Sequence, residues 1–152
     1  MSRFFDRVTS TIEVHPSAIL MIRLIVGAVF LTEGIQKFLY PDALGVGRFI
    51  KIGIPAPEIM APFVGGVETA GGALVLLGLL TRPAALLLAI NISVAIATTK
   101  IPMLFDGGFW KMAHEARTDW SMLLGSLALV ITGGGKWSFD WRTARRASAS
   151  NE

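Results

Sequence analysis

The grouping of apolar residues into long blocks constrains this chain more than any other feature. Four blocks, at about 18–39, 59–80, 83–102 and 117–135, follow one another with short polar segments between them. Each is close to the ~20 residues that a helix needs to cross a hydrocarbon layer ~30 Å thick. With 53% hydrophobic and 16% charged residues, the chain is also more apolar than an average soluble domain. The sequence therefore predicts a single all-α membrane domain, an integral membrane antiparallel four-helix bundle.

Composition also narrows the chemistry. Cysteine is absent, so the chain by itself builds no disulfide, no thiolate metal site and no dithiol redox centre. Its two histidines, His15 and His114, fall at opposite predicted ends of the helices, and no His or carboxylate pair has a known ligand spacing. We therefore expect no metal site. The basic residues are scattered singly over loops and tails, so we expect no nucleic-acid partner.

The distribution of basic residues predicts an orientation. Four spans place both termini on one side, and the side richer in Lys and Arg is usually cytoplasmic. The terminal side carries Arg3, Arg7, Arg82, Lys136, Arg142, Arg145 and Arg146, and the opposite side carries Arg48, Lys51, Lys100, Lys111 and Arg117, with Lys37 at its edge. This bias predicts cytoplasmic tails at 1–17 and 137–152. Trp137 and Trp141 would anchor the second tail at the interface, with a disordered end beyond them.

The first block carries charges that a bilayer disfavours. An ion near the bilayer centre costs at least about 2.5 kcal/mol, so these side chains should face the bundle interior. Glu33 precedes Lys37 by four residues in "FLTEGIQKFLY", the favourable order for an intrahelical ion pair. Gly27 and Gly34 share a helical stripe with Arg23 and Lys37, which predicts close approach of a neighbouring helix. We expect Arg23 itself to extend toward the membrane interface.

The second block repeats the pattern of a carboxylate between small residues. In "GGVETAGG", Glu68 shares a face with glycines at positions 65 and 72. Two helices with glycine seams and inward carboxylates are expected to be neighbours, so we predict that Glu33, Lys37 and Glu68 form one network. Asn91, in the third block, is interpreted as an interhelical hydrogen-bonding residue.

Further polar residues collect at the end of the helices opposite to the chain termini, called here the charged end. Lys100 ends the third block, and "HEARTD" leads into the fourth. Partly apolar loops with Phe49, Phe109 and Trp110 are expected to roof this end. The candidate catalytic residues are Glu33, Lys37, Glu68 and His114, and those for ligand contact are Trp110, Glu115, Arg117 and Asp119. The alternative is that these charges only orient and lock the helices.

Four segments in order resemble one family of membrane proteins. They are "RLIVGAVFLTEGIQKF", "GGVETAGGALVLLGLLTRPAAL", "HEARTDWSMLLG" and "GGGKWSFD", and the resemblance covers about Ile19 to Asp140. On these segments the chain resembles the DoxX family of small four-helix proteins. The resemblance implies a location in the bacterial cytoplasmic (inner) membrane. It also implies that the polar positions of the family correspond here to Glu33, Lys37, Glu68, His114, Glu115, Arg117 and Asp119.

For function, the resemblance implies a quinone as ligand and a place in a membrane oxidoreductase complex. Because no flavin, haem or metal motif is present, such a role would be that of an accessory subunit with a redox partner protein. The alternative is a non-enzymatic scaffold or assembly factor whose charged end docks a partner. Contact with the lipid bilayer is expected in both cases, and homo-oligomer formation stays open.

Overall fold

The computed structural model describes residues 15–149, and every regular element in that range is a helix. The all-α prediction is confirmed for this part of the chain. In chain order the helices are α1 (Pro16–Leu39), α2 (Val46–Lys51), α3 (Pro57–Leu77), α4 (Thr81–Ala95), α5 (Ile101–Glu115), α6 (Arg117–Thr132) and α7 (Phe139–Ala149), with a π-helical turn at Ile96–Lys100 joining α4 to α5. Most of the predicted N-terminal tail, with Arg3 and Arg7, lies outside the described residues.

Three helical stretches are long and apolar enough to cross a membrane. They are Pro16–Leu39, Pro57–Leu77 and the stretch Thr81–Glu115. The predicted fourth block corresponds to α6, whose 16 residues make a helix about 24 Å long, shorter than a ~30 Å hydrocarbon layer. The protein is thus a membrane protein with three candidate spans among its described residues.

α1 and α3 pack with their backbones in near contact. A Cβ atom placed on Gly34 would lie 2.5 Å from the backbone nitrogen of Thr69, and one on Gly72 would lie 2.5 Å from that of Leu31. Gly27 likewise faces the backbone of Gly72 and Leu76. The predicted glycine seam between the first two long helices is confirmed. It brings side chains that flank the glycines within hydrogen-bonding distance across the two helices.

The other long helices complete a small core. α4 packs on α3 and α6, and α6 also contacts α1. Val26, Val75, Leu88 and Leu129 are fully buried between them. Large apolar side chains such as Ile131, which is 76% exposed, cover the outside of the helices. Exposure of this kind is expected where lipid rather than water surrounds the chain.

Arg23 is a buried cross-link rather than a side chain that extends to the interface, so that prediction is wrong. It is 2% exposed. Its guanidinium donates to the carbonyl oxygens of Val75 (3.0 Å) and Leu76 (2.8 Å), at the end of α3. It also donates to those of Gly134 (3.1 Å) and Trp137 (3.2 Å), after α6. The last carbonyls of a helix lack intrahelical donors, and Arg23 supplies them from inside the protein.

The predicted disordered end of the C-terminal tail is also wrong as far as residue 149, because residues 139–149 form α7, and residues 150–152 lie outside the described range. Asp140 fixes the start of this helix. Its carboxylate accepts from the backbone N–H groups of Leu80 (2.7 Å) and Thr81 (2.9 Å), and its own N–H donates to the carbonyl of Gly78 (2.9 Å). α7 is therefore attached to the α3–α4 connection at what we call the terminal end of the helices.

The segment predicted as a loop after the third block is helical, with a break. Gly108 has φ 78° and ψ 170°, a backbone conformation that favours glycine. The Nζ of Lys100, before α5, lies 3.4 Å from a carboxylate oxygen of Asp119, in α6. A straight helix of 15 residues would separate its ends by about 22 Å. The chain must therefore reverse within α5, which is a short helical hairpin bent at Gly108.

Candidate functional site

A cavity of about 370 Å³ lies at the charged end between α1, α3, α4 and the start of α6. Apolar side chains such as Phe30, Val64, Ile92 and Met122 form much of its wall. Ionisable or polar groups are added from six elements: Glu33, Lys37, Arg48, Glu68, Asn91, Thr98, Thr99, Lys100, Thr118 and Asp119. Apolar walls with a few convergent polar groups, in a volume above about 300 Å³, are typical of small-molecule sites.

A triad from three helices forms the floor of this cavity. Lys37 donates to one Glu68 carboxylate oxygen at 2.5 Å, and the Asn91 amide donates to the other at 2.8 Å. The Lys37 and Glu68 side chains are only 12% and 8% exposed. Both oxygens of Glu68 are thus held by donors, which compensates the burial of its charge. Asn91 does form the interhelical hydrogen bond expected of it.

The predicted intrahelical pair between Glu33 and Lys37 is not formed. The Lys37 Nζ lies 3.5 Å from the backbone carbonyl of Glu33, and the carboxylate that it contacts is that of Glu68. The glycine seam explains the difference, because it places α3 close enough for a buried partner. The predicted network therefore contains Lys37 and Glu68 but has Asn91 in the place of Glu33.

A second ion pair closes the side of the cavity. Lys100 and Asp119 lie 3.4 Å apart, with side chains 12% and 19% exposed. Lys100 ends the π-helical turn, which also supplies Thr98 and Thr99 to the wall. Such turns occur frequently at functional sites because the extra residue redirects neighbouring side chains. The sequence placed Lys100 at the charged end but gave no sign of the π-helical turn.

Two charged residues of the cavity wall have no ion-pair or hydrogen-bond partner for their side chains within residues 15–149. They are Glu33, on α1, and Arg48, on α2. Both are exposed. Sequence reasoning missed Arg48 as a site residue, although the apolar loop around it was expected to cover this end. The cavity thus holds one acceptor and one donor that are free to meet a ligand.

The predicted roof is present only in part. Phe49, on α2, is 8% exposed and lines the cavity together with Ile52 and Ile54. Phe109 and Trp110 are 58% and 83% exposed and are not wall residues, so the prediction that they cover the site is wrong. They lie just after the bend at Gly108, on the hairpin.

Most of the "HEARTD" segment also lies away from the cavity. His114, Glu115 and Arg117 are exposed and are not among the residues of its wall, whereas Asp119 is. The Arg117 guanidinium donates instead to the backbone carbonyl of His114. The hairpin and the turn at Ala116 carry these side chains outward. The predicted convergence of six ionisable groups is therefore correct for Glu33, Lys37, Glu68 and Asp119, and wrong for His114 and Arg117.

The arrangement has a definite chemical capacity. Lys37, Asn91 and Arg48 carry N–H donors, and Glu33 and Glu68 carry acceptors, around a space with apolar walls. In the described residues no group of three or more His, Asp or Glu side chains is placed to hold a metal ion.

Comparison with known proteins identifies relatives over most of the chain. The sequence model of the DoxX family matches residues 18–101. The "Uncharacterized membrane protein Rv3486" of Mycobacterium tuberculosis is 55% identical over 140 residues, covering 88% of this chain and 86% of the relative. The "Putative oxidoreductase CatD" of Bacillus subtilis is 34% identical over 121 residues, covering 80% and 83%. No solved structure gives a significant match.

Proposed function

The chain belongs to the DoxX family of membrane proteins, and we propose on this premise that its charged-end cavity binds a quinone ring as part of a membrane oxidoreductase complex. The oxidoreductase association is suggested by the name of the Bacillus subtilis relative, which describes that protein. The observation that carries the proposal is the cavity itself, in which Lys37, Glu68 and Asn91 meet under apolar walls.

The polar groups of the cavity suit both redox forms of the ligand. A quinone accepts two electrons and two protons to become a hydroquinone, so its ring oxygens change from acceptors to donors. Lys37 and Asn91 have N–H groups for the carbonyl oxygens of the oxidised form. The carboxylates of Glu68 and Glu33 have acceptor oxygens for the hydroxyl groups of the reduced form. The electrons are assigned to a partner redox protein.

The position of the cavity supports a ligand that arrives from the bilayer. Glu68 lies in the middle of α3, and Asn91 lies within α4, so the floor is inside two candidate spans rather than at their ends. Phe49 of α2 and Ile52 and Ile54, in the segment after it, cover the cavity. These apolar side chains limit access of water to the triad, which strengthens its hydrogen bonds to a ligand.

The proposal includes a membrane topology in which α6 is a fourth crossing helix and both termini are cytoplasmic. Because α6 is short, a crossing would include its first turn, where Asp119 lies. The ion pair with Lys100 reduces the cost of placing this carboxylate at membrane depth. The terminal end would then face the cytoplasm with Arg82, Lys136 and the arginines of α7. Fusions of alkaline phosphatase and of a fluorescent protein to the C-terminus test it: an active phosphatase would contradict the orientation.

Binding is tested by titrating short-chain ubiquinone and menaquinone analogues against the purified protein in detergent. The informative variant is Glu68→Gln, which keeps the shape of the side chain and removes its charge. The matched control is Glu115→Gln, the same chemical change at a residue outside the cavity. We expect Glu68→Gln to weaken binding about tenfold or more, as for loss of a hydrogen bond to a charged group, and Glu115→Gln to leave it unchanged.

The result also separates the proposal from its alternative. If no analogue binds the folded protein, or if Glu68→Gln binds as well as the unchanged protein, the quinone site is wrong. The same charged groups would then serve to lock the helices of a scaffold or assembly factor. A quinone recovered with the purified unchanged protein, and absent from folded Glu68→Gln, would support the site directly.

A further inference from the structure

We propose that α7, with Trp137 before it, is an interfacial helix that binds the anionic headgroups of the membrane lipids. This inference is independent of the quinone site, which lies at the opposite end of the helices. It concerns the C-terminal tail, which was interpreted from the sequence only as an anchor with a disordered end.

The first support is the fixed position of the helix. Asp140 holds its start to the N–H groups of Leu80 and Thr81, and the backbone carbonyl of Trp137 accepts from the buried Arg23. These bonds attach α7 to the end of α3 and to the start of the Thr81–Glu115 stretch, both long enough to cross the bilayer. The helix is therefore held where the hydrocarbon layer ends and the headgroups begin.

The second support is the pairing of arginines with aromatic rings on the exposed surface. The Arg142 guanidinium lies 5.7 Å from the centre of the Phe139 ring, and the Arg145 guanidinium lies 4.7 Å from that of Trp141. A stacked guanidinium keeps its N–H edge free for phosphate oxygens. Aromatic rings are favourable at headgroup depth. Each pair thus combines an aromatic ring, which is favourable at the interface, with a guanidinium, which can bind an anionic headgroup.

The third support is the charge of the surface. Between positions 136 and 149 the basic residues are Lys136, Arg142, Arg145 and Arg146, and the acidic residue is Asp140. The Asp140 carboxylate is already occupied by two N–H donors from the α3–α4 connection. Arg82 adds a positive charge beside Lys136, on the wall of an open groove next to α7. Each basic residue near an anionic bilayer surface strengthens attraction about fivefold.

These features favour a lipid surface over a protein partner. Apart from alanines, the apolar residues of α7 are Phe139 and Trp141, which are 49% and 37% exposed and lie beside arginines. No continuous apolar stripe for docking another helix is formed by them. A charged surface with aromatic residues at the end of a membrane helix instead matches the composition of interfacial helices.

The proposal is tested by measuring which lipids are enriched around α7. A variant with Trp110, Trp120 and Trp137 replaced by Phe leaves Trp141 as the only tryptophan. It is reconstituted in phosphatidylcholine vesicles that contain a minor fraction of either brominated phosphatidylglycerol or brominated phosphatidylcholine. We expect quenching of Trp141 fluorescence to be about twofold stronger with the anionic lipid, because that lipid is enriched near the arginines. Equal quenching by the two lipids would overturn the proposal.

Two comparisons assign the effect to α7. In this background, Arg142→Gln, Arg145→Gln and Arg146→Gln together should abolish the excess quenching. The matched control changes Lys51, Lys111 and Arg117 to Gln, an equal loss of charge at the charged end, and should keep it. Loss of the excess in both variants would overturn the assignment. In the single-tryptophan protein that keeps these arginines, raising the salt concentration from roughly 0.05 to 0.5 M should also reduce the excess quenching. Free phosphate added at constant ionic strength should not.

Discussion

Lys37 of α1 forms its ion pair with Glu68 of α3, at 2.5 Å, although Glu33 lies one turn away on its own helix. The partner across the seam is the buried one, and the partner on the same helix is exposed. In a low-dielectric environment a buried carboxylate without a donor is costly, so Lys37 stabilises the protein more by pairing with Glu68 than by pairing with an exposed carboxylate. The choice of partner therefore depends on helix packing rather than on sequence spacing.

Removal of Lys37 should destabilise the protein more than removal of the whole pair. Lys37→Met leaves the buried Glu68 carboxylate with Asn91 alone, and breaking a buried pair typically costs about 3–5 kcal/mol. Lys37→Met combined with Glu68→Leu should recover much of that loss. Thermal unfolding in detergent, followed by size-exclusion recovery, measures both. Lys51→Met, at an exposed lysine, is the control, and a folded Lys37→Met of unchanged stability would contradict the structure.

The glycine seam should not tolerate a methyl group at position 34. Gly34→Ala places a Cβ atom 2.5 Å from the backbone of Thr69, so α1 and α3 must move apart. Overpacking of this kind costs about 1–3 kcal/mol. Gly66→Ala is a matched control on α3, because a Cβ atom there has no neighbour within 4 Å. Equal thermal midpoints for the two variants would contradict the close approach.

Arg23 should be sensitive even to replacement by lysine. Lysine retains the charge but lacks the planar set of N–H groups that reaches four carbonyl oxygens in two segments. The Val75 carbonyl also accepts from the N–H of Gly78, whereas each of the other carbonyls left without a donor costs about 1–3 kcal/mol. We expect the order of stability to be Arg23, then Lys, then Leu, by thermal unfolding. Arg146→Leu, on the exposed surface, should have little effect.

The attachment of α7 should weaken in acid. Burial alone would raise the pKa of the Asp140 carboxyl, but hydrogen bonds from the backbone of Thr81 and Leu80, with the nearby Arg23 charge, hold that pKa below its ordinary value. A lowered pKa in the folded state means that the contribution is complete above the unfolded pKa of about 3.9 and is lost as pH falls through the lower folded value.

Asp140→Asn checks this dependence. Near pH 7 the variant should be about 0.5–2 kcal/mol less stable, the usual range for loss of a helix cap. The difference between variant and unchanged protein should begin to shrink below about pH 4, where Asp140 of the unfolded chain takes up a proton, and should go on shrinking toward the lower folded pKa. Thermal midpoints measured from pH 7 to pH 3 report it, and a difference that stays constant over this range would show that the carboxylate charge is not involved.

The sequence could predict features that follow from spacing along one helix. The small residues at 27, 34, 65 and 72 recur at helical intervals, and the close approach of α1 and α3 follows from their size. A network with both Lys37 and Glu68 was predicted from these seams, but the choice of Glu68 over Glu33 as the partner of Lys37 could not be, because it depends on the relative height of two helices. The same applies to His114, whose distance from the cavity is set by the bend at Gly108 and not by its place in a charged segment.

α7 shows a different limit. Its arginines and few apolar residues resemble a solvated tail, and its order depends on Asp140, which finds donors 60 and 59 residues earlier in the chain. Arg48 was overlooked for a related reason, since a residue of a six-residue helix acquires a role only when that helix covers a cavity.

The position of Arg23 near the start of α1 has a consequence for biosynthesis. Its four acceptors belong to residues made much later, first Val75 and Leu76, and then Gly134 and Trp137. While the ribosome is still making α4 to α6, the guanidinium has only the first two acceptors from the protein. Its hydrogen-bonding shell is completed only when the turn after α6 is made. The hydrogen bonds of a residue in the first membrane helix are therefore completed only after all the other long helices have been made.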